Sequence, residues 1–114
     1  MALQYNLAKV YEISENDTDF ALQIVNLFLD EVPTEISYIK TGINEKDFTR
    51  VYAAAHKIKP SLDLLGMDIA YEENLQIMAW AKREGKKKEI KEIFKSLKDR
   101  VSMSVKELKK DFKI

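Results

Sequence analysis

Apolar residues recur along this chain at spacings of three and four, the period of an amphipathic helix, and not in the alternation that is typical of strands. The longest such stripe lies near the C-terminus and comprises Ile90, Ile93, Phe94, Leu97, Val101, Val105, Leu108 and Phe112. Turn signals are few, since the 114 residues include three glycines and two prolines. The pattern therefore predicts an all-α protein.

The boundaries of the predicted helices follow from capping residues, glycines and prolines. The predicted helices are a short one over about 3–13, one from about 17 toward Gly42 that kinks or restarts at Pro33, one from Asn44 to Leu65 closed by Gly66, one capped by Asp68 and ending at Gly85, and one over about 86–112. Short connections between long helices favour antiparallel neighbours. We therefore expect residues 1–114 to form a single domain, an up-and-down antiparallel four-helix bundle with a short extra N-terminal helix across one end.

Helical periodicity also predicts which residues face the core. The predicted inward residues of the first helix are Leu3, Leu7, Val10 and Tyr11; those of the second are Phe20, Ile24, Leu27 and Phe28, followed by Ile36, Ile39 and Ile43; and those of the third are Phe48, Val51, Ala55, Ile58, Leu62 and Leu65. His56 falls well off the stripe of the third helix. It is therefore expected on the outer face of that helix.

Composition narrows the possible functions. Nineteen basic and nineteen acidic residues cancel, which argues against nucleic acid or an anionic membrane as the partner. With no cysteine and a single histidine, the chain cannot build the usual zinc sites. No segment resembles a signal peptide or a membrane span. We expect a soluble, cytoplasmic monomer without a cofactor of its own.

The single histidine is the principal candidate for chemistry. A neutral imidazole has a free lone pair near physiological pH and attacks a phosphoryl group without a general base. Such a reaction needs access and nearby positive charge, because phosphoryl transfer depends mostly on positioning and electrostatics. At helical spacing His56 lies between two small residues, Ala53 and Pro60, and Lys59 is one turn away. Lys57 points elsewhere and is the weaker candidate.

The alternative is that His56 is an ordinary surface histidine on a solvated helix. The position of Pro60 favours a functional role for His56. A proline in a helix interior removes a hydrogen bond to the carbonyl of residue 56, which costs about 3 kcal/mol of helix stability. A harmless kink is the competing interpretation. Asp63 lies on the same side and is a candidate for orienting the ring or Lys59, and Tyr52 either supports the imidazole or packs.

The residues around the histidine resemble a known motif. The pattern His, any residue, apolar residue, Lys, Gly, Ser and then Leu-Gly is matched by His56, Ile58, Lys59, Ser61, Leu65 and Gly66. The segments "LFLDEVPTEI" (27–36) and "NEKDFTRVYAAAHKIK" (44–59) are similar in register and spacing, and the resemblance covers about residues 15–110. The chain thus resembles the histidine-containing phosphotransfer (HPt) domains of multistep two-component signalling. It departs from them at Pro60, where the family usually has glycine.

The resemblance implies a four-helix bundle that carries phosphoryl groups and has no kinase activity of its own. His56 would accept the phosphoryl group from a receiver-domain aspartate and pass it to another receiver, and Lys59 would stabilise the phosphate. The expected partners are receiver domains of hybrid histidine kinases and response regulators, with magnesium bound only on the receiver. The residues expected to dock the receiver are Tyr52, Ala53, Pro60, Asp63 and Met67.

Two other interpretations remain open. The chain is alternatively a non-catalytic helical module that binds or sequesters a signalling partner. The lysine-rich segment "KREGKKKEIK" (82–91) is interpreted as a solvated turn, with a patch for an acidic partner as the alternative. The residues expected to pack in the core of the bundle here are Met67, Ile69, Leu75, Met78 and Trp80, although Met67 and Trp80 are also candidates for the edge of a partner surface.

Overall fold

The computed structural model describes residues 4–114, which contain five helices and no strand. The helices are α1 (Ala8–Ile13), α2 (Thr18–Glu45), α3 (Phe48–Leu64), α4 (Asp68–Lys82) and α5 (Lys87–Asp111). Helix α3 packs between α2 and α4, and α5 packs on α4 and on α2, which closes a four-helix bundle. The predicted all-α fold is confirmed. None of the helices in residues 4–114 is both long and apolar enough to cross a membrane.

Helix α1 is shorter than predicted. Residues 4–7 are not helical, because their polar groups bond to other elements: the Asn6 N–H donates to the Leu65 carbonyl oxygen at 2.8 Å, and the Tyr5 hydroxyl donates to the Asp111 carboxylate. These contacts fasten the N-terminal segment to the ends of α3 and α5. Predicted residue Leu3 lies outside the described part of the chain, whereas Val10 is buried as expected.

Helix α2 is continuous through Pro33, so the predicted restart at this residue is wrong. The prediction of the inward face also needs correction. Phe20 and Leu27 are 42% and 55% exposed, and the core residues of this half of the helix are Ala21, Val25, Phe28 and Val32. Phe28 is buried as predicted, and the other core residues lie about 100° around the helix from Phe20 and Leu27. Ile36, Ile39 and Ile43 are buried, as predicted.

Two of the predicted caps are also wrong. Asn44 does not open α3, since it lies in the last turn of α2; the capping residue is Asp47, whose carboxylate accepts a hydrogen bond from the Arg50 N–H at 3.1 Å. Asp68 does not cap α4 but is its first residue, after Met67 at the capping position. The acceptor of an N-terminal cap must lie outside the first helical turn. Asp47 meets that condition because α2 ends at Glu45 and Lys46, in the left-handed conformation, turns the chain before α3.

The C-terminal end of α3 agrees with the prediction. Gly66 follows the last turn with a φ of +63°, a conformation that glycine adopts without steric cost. A β-carbon at this position would also lie 2.6 Å from the Asn6 carbonyl oxygen. The core face of α3 is buried at Val51, Ala55, Ile58 and Leu62, so its opposite face must point to solvent.

Candidate functional site

His56 lies on the exposed outer face of α3, as the periodicity predicts. Ala53, one turn before it, and Pro60, one turn after it, are exposed as well. Neither residue has a side chain long enough to cover the imidazole. A large partner that approaches α3 perpendicular to its axis can therefore reach the ring.

The imidazole is supported on one side by Tyr52. The two rings are nearly parallel, at 17°, with their centroids 6.0 Å apart. The ammonium of Lys82, at the end of α4, lies 5.8 Å from the Tyr52 ring centroid. This places a cation from a second helix beside the aromatic pair. Sequence reasoning had assigned Lys82 to the lysine-rich turn, and it missed this contact because only the packing of α4 on α3 creates it.

The two lysines next to His56 differ in their surroundings. The Lys57 ammonium lies 3.9 Å from a carboxylate oxygen of the mostly buried Glu35, so its charge is paired. Lys59 is half-buried and forms no ion pair or hydrogen bond with any residue in 4–114. Its ammonium is therefore unpaired within the described residues, three positions after His56 on α3.

Asp63 is exposed on the same side, but it does not orient the imidazole. Its carboxylate accepts a hydrogen bond from the Lys9 ammonium of α1 at 3.0 Å. This hydrogen bond raises the pKa of Lys9. The pairing directs the negative charge of Asp63 toward α1, and Lys59 is left without it.

Two residues considered for a partner surface lie in the core instead. Met67 and Trp80 are each 1% exposed, whereas Ile69, which was also expected in the core, is 58% exposed. Trp80 also donates its indole N–H to the Lys86 carbonyl oxygen at 2.9 Å. The expectation that Met67 contributes to docking is therefore corrected: the residue immediately precedes α4, and its side chain is buried in the apolar core.

An exposed stripe on α2, comprising Phe20, Leu27 and Tyr38, lies on the α3 side of that helix; we call it the α2 apolar stripe. Residues seven and eleven positions apart share a helical face. The Tyr38 ring identifies which side this is, because the guanidinium of Arg50 on α3 lies 5.6 Å from its centroid. The signal was present in the sequence, since a helix with apolar residues at both 20 and 21 and at both 27 and 28 has two apolar faces.

A buried amide holds the backbone of α3 near the histidine. Asn74 on α4 is fully buried and donates its side-chain N–H to the Ala55 carbonyl oxygen at 2.8 Å. Pro60 lacks the N–H that would bond to the carbonyl of His56 in a regular helix. The segment that carries His56 is thus fastened from α4 by a side chain, while one of its own backbone hydrogen bonds is missing.

The arrangement suits group transfer to a single nucleophile. Residues 4–114 contain no group of three or more histidine, aspartate or glutamate side chains that could hold a metal ion. What the site offers is an accessible imidazole, an unpaired ammonium one turn away and small neighbours. Accessibility and nearby positive charge are what phosphoryl transfer requires of a nucleophile's surroundings.

No protein-family model matches the chain, and no curated protein matches it. A solved structure does: the HPT domain from the Hpt sensor hybrid histidine kinase from Shewanella has a TM-score of 0.78 with this protein. The superposition covers 95% of both chains at 17% sequence identity. This protein therefore has the helical-bundle fold of a histidine-containing phosphotransfer domain.

Proposed function

We propose that this protein is an HPt phosphocarrier in which His56 accepts a phosphoryl group from the aspartate of one receiver domain and passes it to the aspartate of another. The observation that carries the proposal is the exposed position of the only histidine on a bundle with the HPt fold. The fold alone hosts more than one function, so the chemistry of the site must support the rest.

Transfer of the phosphoryl group to His56 requires no catalytic base. The ring nitrogen of neutral His56 that bears the lone pair attacks phosphorus, the bond from phosphorus to the donor aspartate oxygen breaks, and the carboxylate leaves. The product is a phosphoimidazolium that keeps its other N–H. In the reverse sense, the second aspartate attacks phosphorus, the P–N bond breaks, and neutral imidazole is released. Lys59 stabilises the phosphoryl oxygens in both steps.

The docking surface follows from what surrounds His56. Ala53 and Pro60 provide clearance, and the α2 apolar stripe provides exposed apolar area beside α3. The three side chains of this stripe are 42–55% exposed on one face of α2, whereas apolar residues scattered singly are normal on any surface. We propose that the receiver contacts Phe20 and Leu27 while its aspartate reaches His56. Magnesium would be bound by the receiver, and the exchange would take place in the cytoplasm.

The test is to incubate the protein with a phosphorylated receiver, or with a small phosphoramidate donor, and to measure its intact mass. We expect an acid-labile phosphoryl adduct on the wild type and none on His56→Gln, because the chain has no second histidine. Circular dichroism would verify that the variant is folded. Failure of several competent receivers and the phosphoramidate to form the adduct would contradict the carrier role.

Lys59 and Lys57 provide a matched pair for the role of the cation. Lys59→Ala should slow adduct formation about ten- to a hundredfold, the effect of losing a charge-assisted hydrogen bond worth 1.5–3 kcal/mol. Lys57→Ala should change the rate little, since Glu35 already pairs its charge. Equal effects of the two variants would show that Lys59 contributes only nonspecific positive charge and makes no direct contact with the phosphoryl oxygens. Receiver binding without any adduct on the wild type would favour the non-catalytic binding module instead.

A further inference from the structure

A long groove runs between α2 and α5, on the opposite side of α2 from α3. It consists of two adjoining cavities of about 560 and 440 Å³ that share Lys40, Phe94 and Lys98 as lining residues. Along α2 the lining extends over residues 33–44, which is about 16 Å at the helical rise of 1.5 Å per residue. That length corresponds to about three turns of a helix.

The floor of the α2–α5 groove is apolar. It is formed by side chains such as Ile43 from α2 and Phe94 and Val105 from α5. Phe94 and Val105 are only half-buried, so the bundle itself does not cover them. Apolar area of this kind, recessed between two helices, resembles the grooves in which amphipathic helices bind.

The rim of the groove is strongly basic. Its lysines come mostly from α5 and are Lys40, Lys87, Lys88, Lys91, Lys95, Lys98 and Lys106. None of them pairs with a carboxylate within residues 4–114, and the acidic residue that lines the same cavity is Glu92. The formal net charge of the chain is zero, but positive charge without carboxylate partners is concentrated along this groove. Such a charge distribution selects an acidic partner and accelerates its association.

We propose that the α2–α5 groove binds an acidic amphipathic helix of a partner protein, with its apolar side chains on the floor and its carboxylates toward the lysines. An extended peptide has no sheet edge to join, because residues 4–114 contain no strand. A membrane is disfavoured because the apolar residues are recessed below the lysines and do not project. A polyanion such as nucleic acid would leave the apolar floor without a partner.

The groove is independent of the phosphotransfer site. Helix α3 carries His56 and packs between α2 and α4, whereas the groove lies where α2 meets α5. A receiver on the histidine face would therefore leave the groove free. An acidic helix bound there would anchor the carrier close to its source or its target during transfer, whether or not His56 is phosphorylated.

The experiment is a titration of the ¹⁵N-labelled protein with a synthetic acidic helix, followed by NMR. The probe is an 18-residue peptide with leucines at i, i+4, i+7 and i+11 and glutamates flanking them. We expect saturable binding with a submillimolar dissociation constant, and chemical-shift changes confined to the residues lining the groove. A peptide with lysines in place of the glutamates should not bind. Absence of saturation, or shifts centred on the His56 face, would overturn the proposal.

Charge reversal at matched positions separates this site from general attraction. The double variant Lys91→Glu/Lys95→Glu should weaken peptide binding at least tenfold. Lys109→Glu/Lys110→Glu makes the same charge change on the same helix, at exposed positions outside the groove, and should leave binding within twofold. Equal weakening by the two pairs would overturn the proposal. If the first variant does not fold, Lys91→Gln/Lys95→Gln serves the same purpose with a smaller expected loss.

Further measurements test the apolar floor of the groove and the identity of its occupant. Phe94→Ser should weaken peptide binding even though all the lysines remain, because it makes the apolar floor polar. Sedimentation of the wild type at increasing concentration should show no association through the groove. Binding only to vesicles of phosphatidylserine and phosphatidylcholine, only to duplex DNA, or only to a second copy of the chain would overturn the assignment of a protein helix as the occupant.

Discussion

The two diagonal helices of the bundle, α3 and α5, are held in different ways. Helix α3 is in close contact on both sides: Gly42 of α2 lies so near Val51 that a β-carbon would be 2.6 Å from its Cγ2, and Asn74 of α4 bonds to the Ala55 carbonyl. Small or hydrogen-bonded residues at both contacts fix the position of the helix. The outer face that carries His56 is therefore displayed on a well-anchored backbone.

Helix α5 is anchored on one side. Arg100 lies 3.2 Å from the Glu73 carboxylate of α4, and Asp111 accepts a hydrogen bond from Tyr5 in the N-terminal segment. Toward α2, long lysine side chains and a half-buried Phe94 leave a groove. Helix α3 thus holds the imidazole of His56 in a fixed position, whereas α5 leaves space beside it for another chain.

The largest effect is expected from closing the space at Gly42. Gly42→Val should lower the free energy of unfolding by about 3 kcal/mol, because Val51 is fully buried and the Asp47 carbonyl is also near. The matched change on the groove side of the same helix, Ser37→Val, should stay within about 0.5 kcal/mol. Urea unfolding followed by circular dichroism measures both. Similar losses at the two positions would contradict the contrast between the two sides of α2.

Helices α3 and α5 also differ in the buried polar groups that contact them. Asn74→Ala removes the hydrogen bond to Ala55 and leaves a small cavity, and it should cost about 2 kcal/mol even though the side-chain oxygen of Asn74 has no hydrogen-bond partner within residues 4–114. Ser104 of α5 is also fully buried, but its hydroxyl has no hydrogen-bond partner within residues 4–114. Ser104→Ala should therefore be neutral to within about 0.5 kcal/mol in the same unfolding assay. A larger cost for Ser104→Ala would reverse the comparison.

Pro60 is the weak point of the well-held helix. Pro60→Ala restores an N–H that can donate to the His56 carbonyl and should raise the free energy of unfolding by about 1–2 kcal/mol, less than the full cost of an interior proline because this face is solvated. Thermal and urea unfolding would measure the gain. The phosphoryl adduct should still form, since alanine preserves the clearance. A loss of stability would instead mean that the proline ring makes packing contacts that α3 requires.

The smallest effect concerns the start of α5. The Lys86 N–H donates to the Glu89 carboxylate at 2.7 Å, and this bond, aided by Arg83, lowers the pKa of Glu89. A lowered pKa stabilises the fold above the unfolded-state value near 4.5, and the contribution disappears as the pH falls through the folded-state pKa. Glu89→Gln should thus be less stable than the wild type at neutral pH, with the difference vanishing once the pH falls below the lowered pKa of Glu89 in the folded state. A difference that persists in acid would show that the carboxylate charge is not responsible.

The accuracy of the sequence predictions varied with how many faces of each helix are apolar. Helices α3 and α5 each have one apolar stripe, and most of their buried residues lie on the expected stripes. The bounds of α5 agree with the prediction to within one residue, whereas α3 begins at Phe48 and not at Asn44. Helix α2 has two, so periodicity could not distinguish the core residues from the exposed Phe20 and Leu27. The burial of Met67 and the pairing of Asp63 with Lys9 depend on neighbours that are distant in sequence, and no local pattern encodes them.

The sequence by itself determined the helical class, the number of helices and the outward position of His56, because all three depend on local periodicity and on signals within a few residues. Tertiary packing decided which apolar face of α2 is buried, which cations lie free near the imidazole, and that α2 and α5 separate into a lysine-rimmed groove. These features depend on the distances between helices. Side-chain size and the pairing of groups far apart in the chain set those distances, so they emerge only when the bundle is assembled.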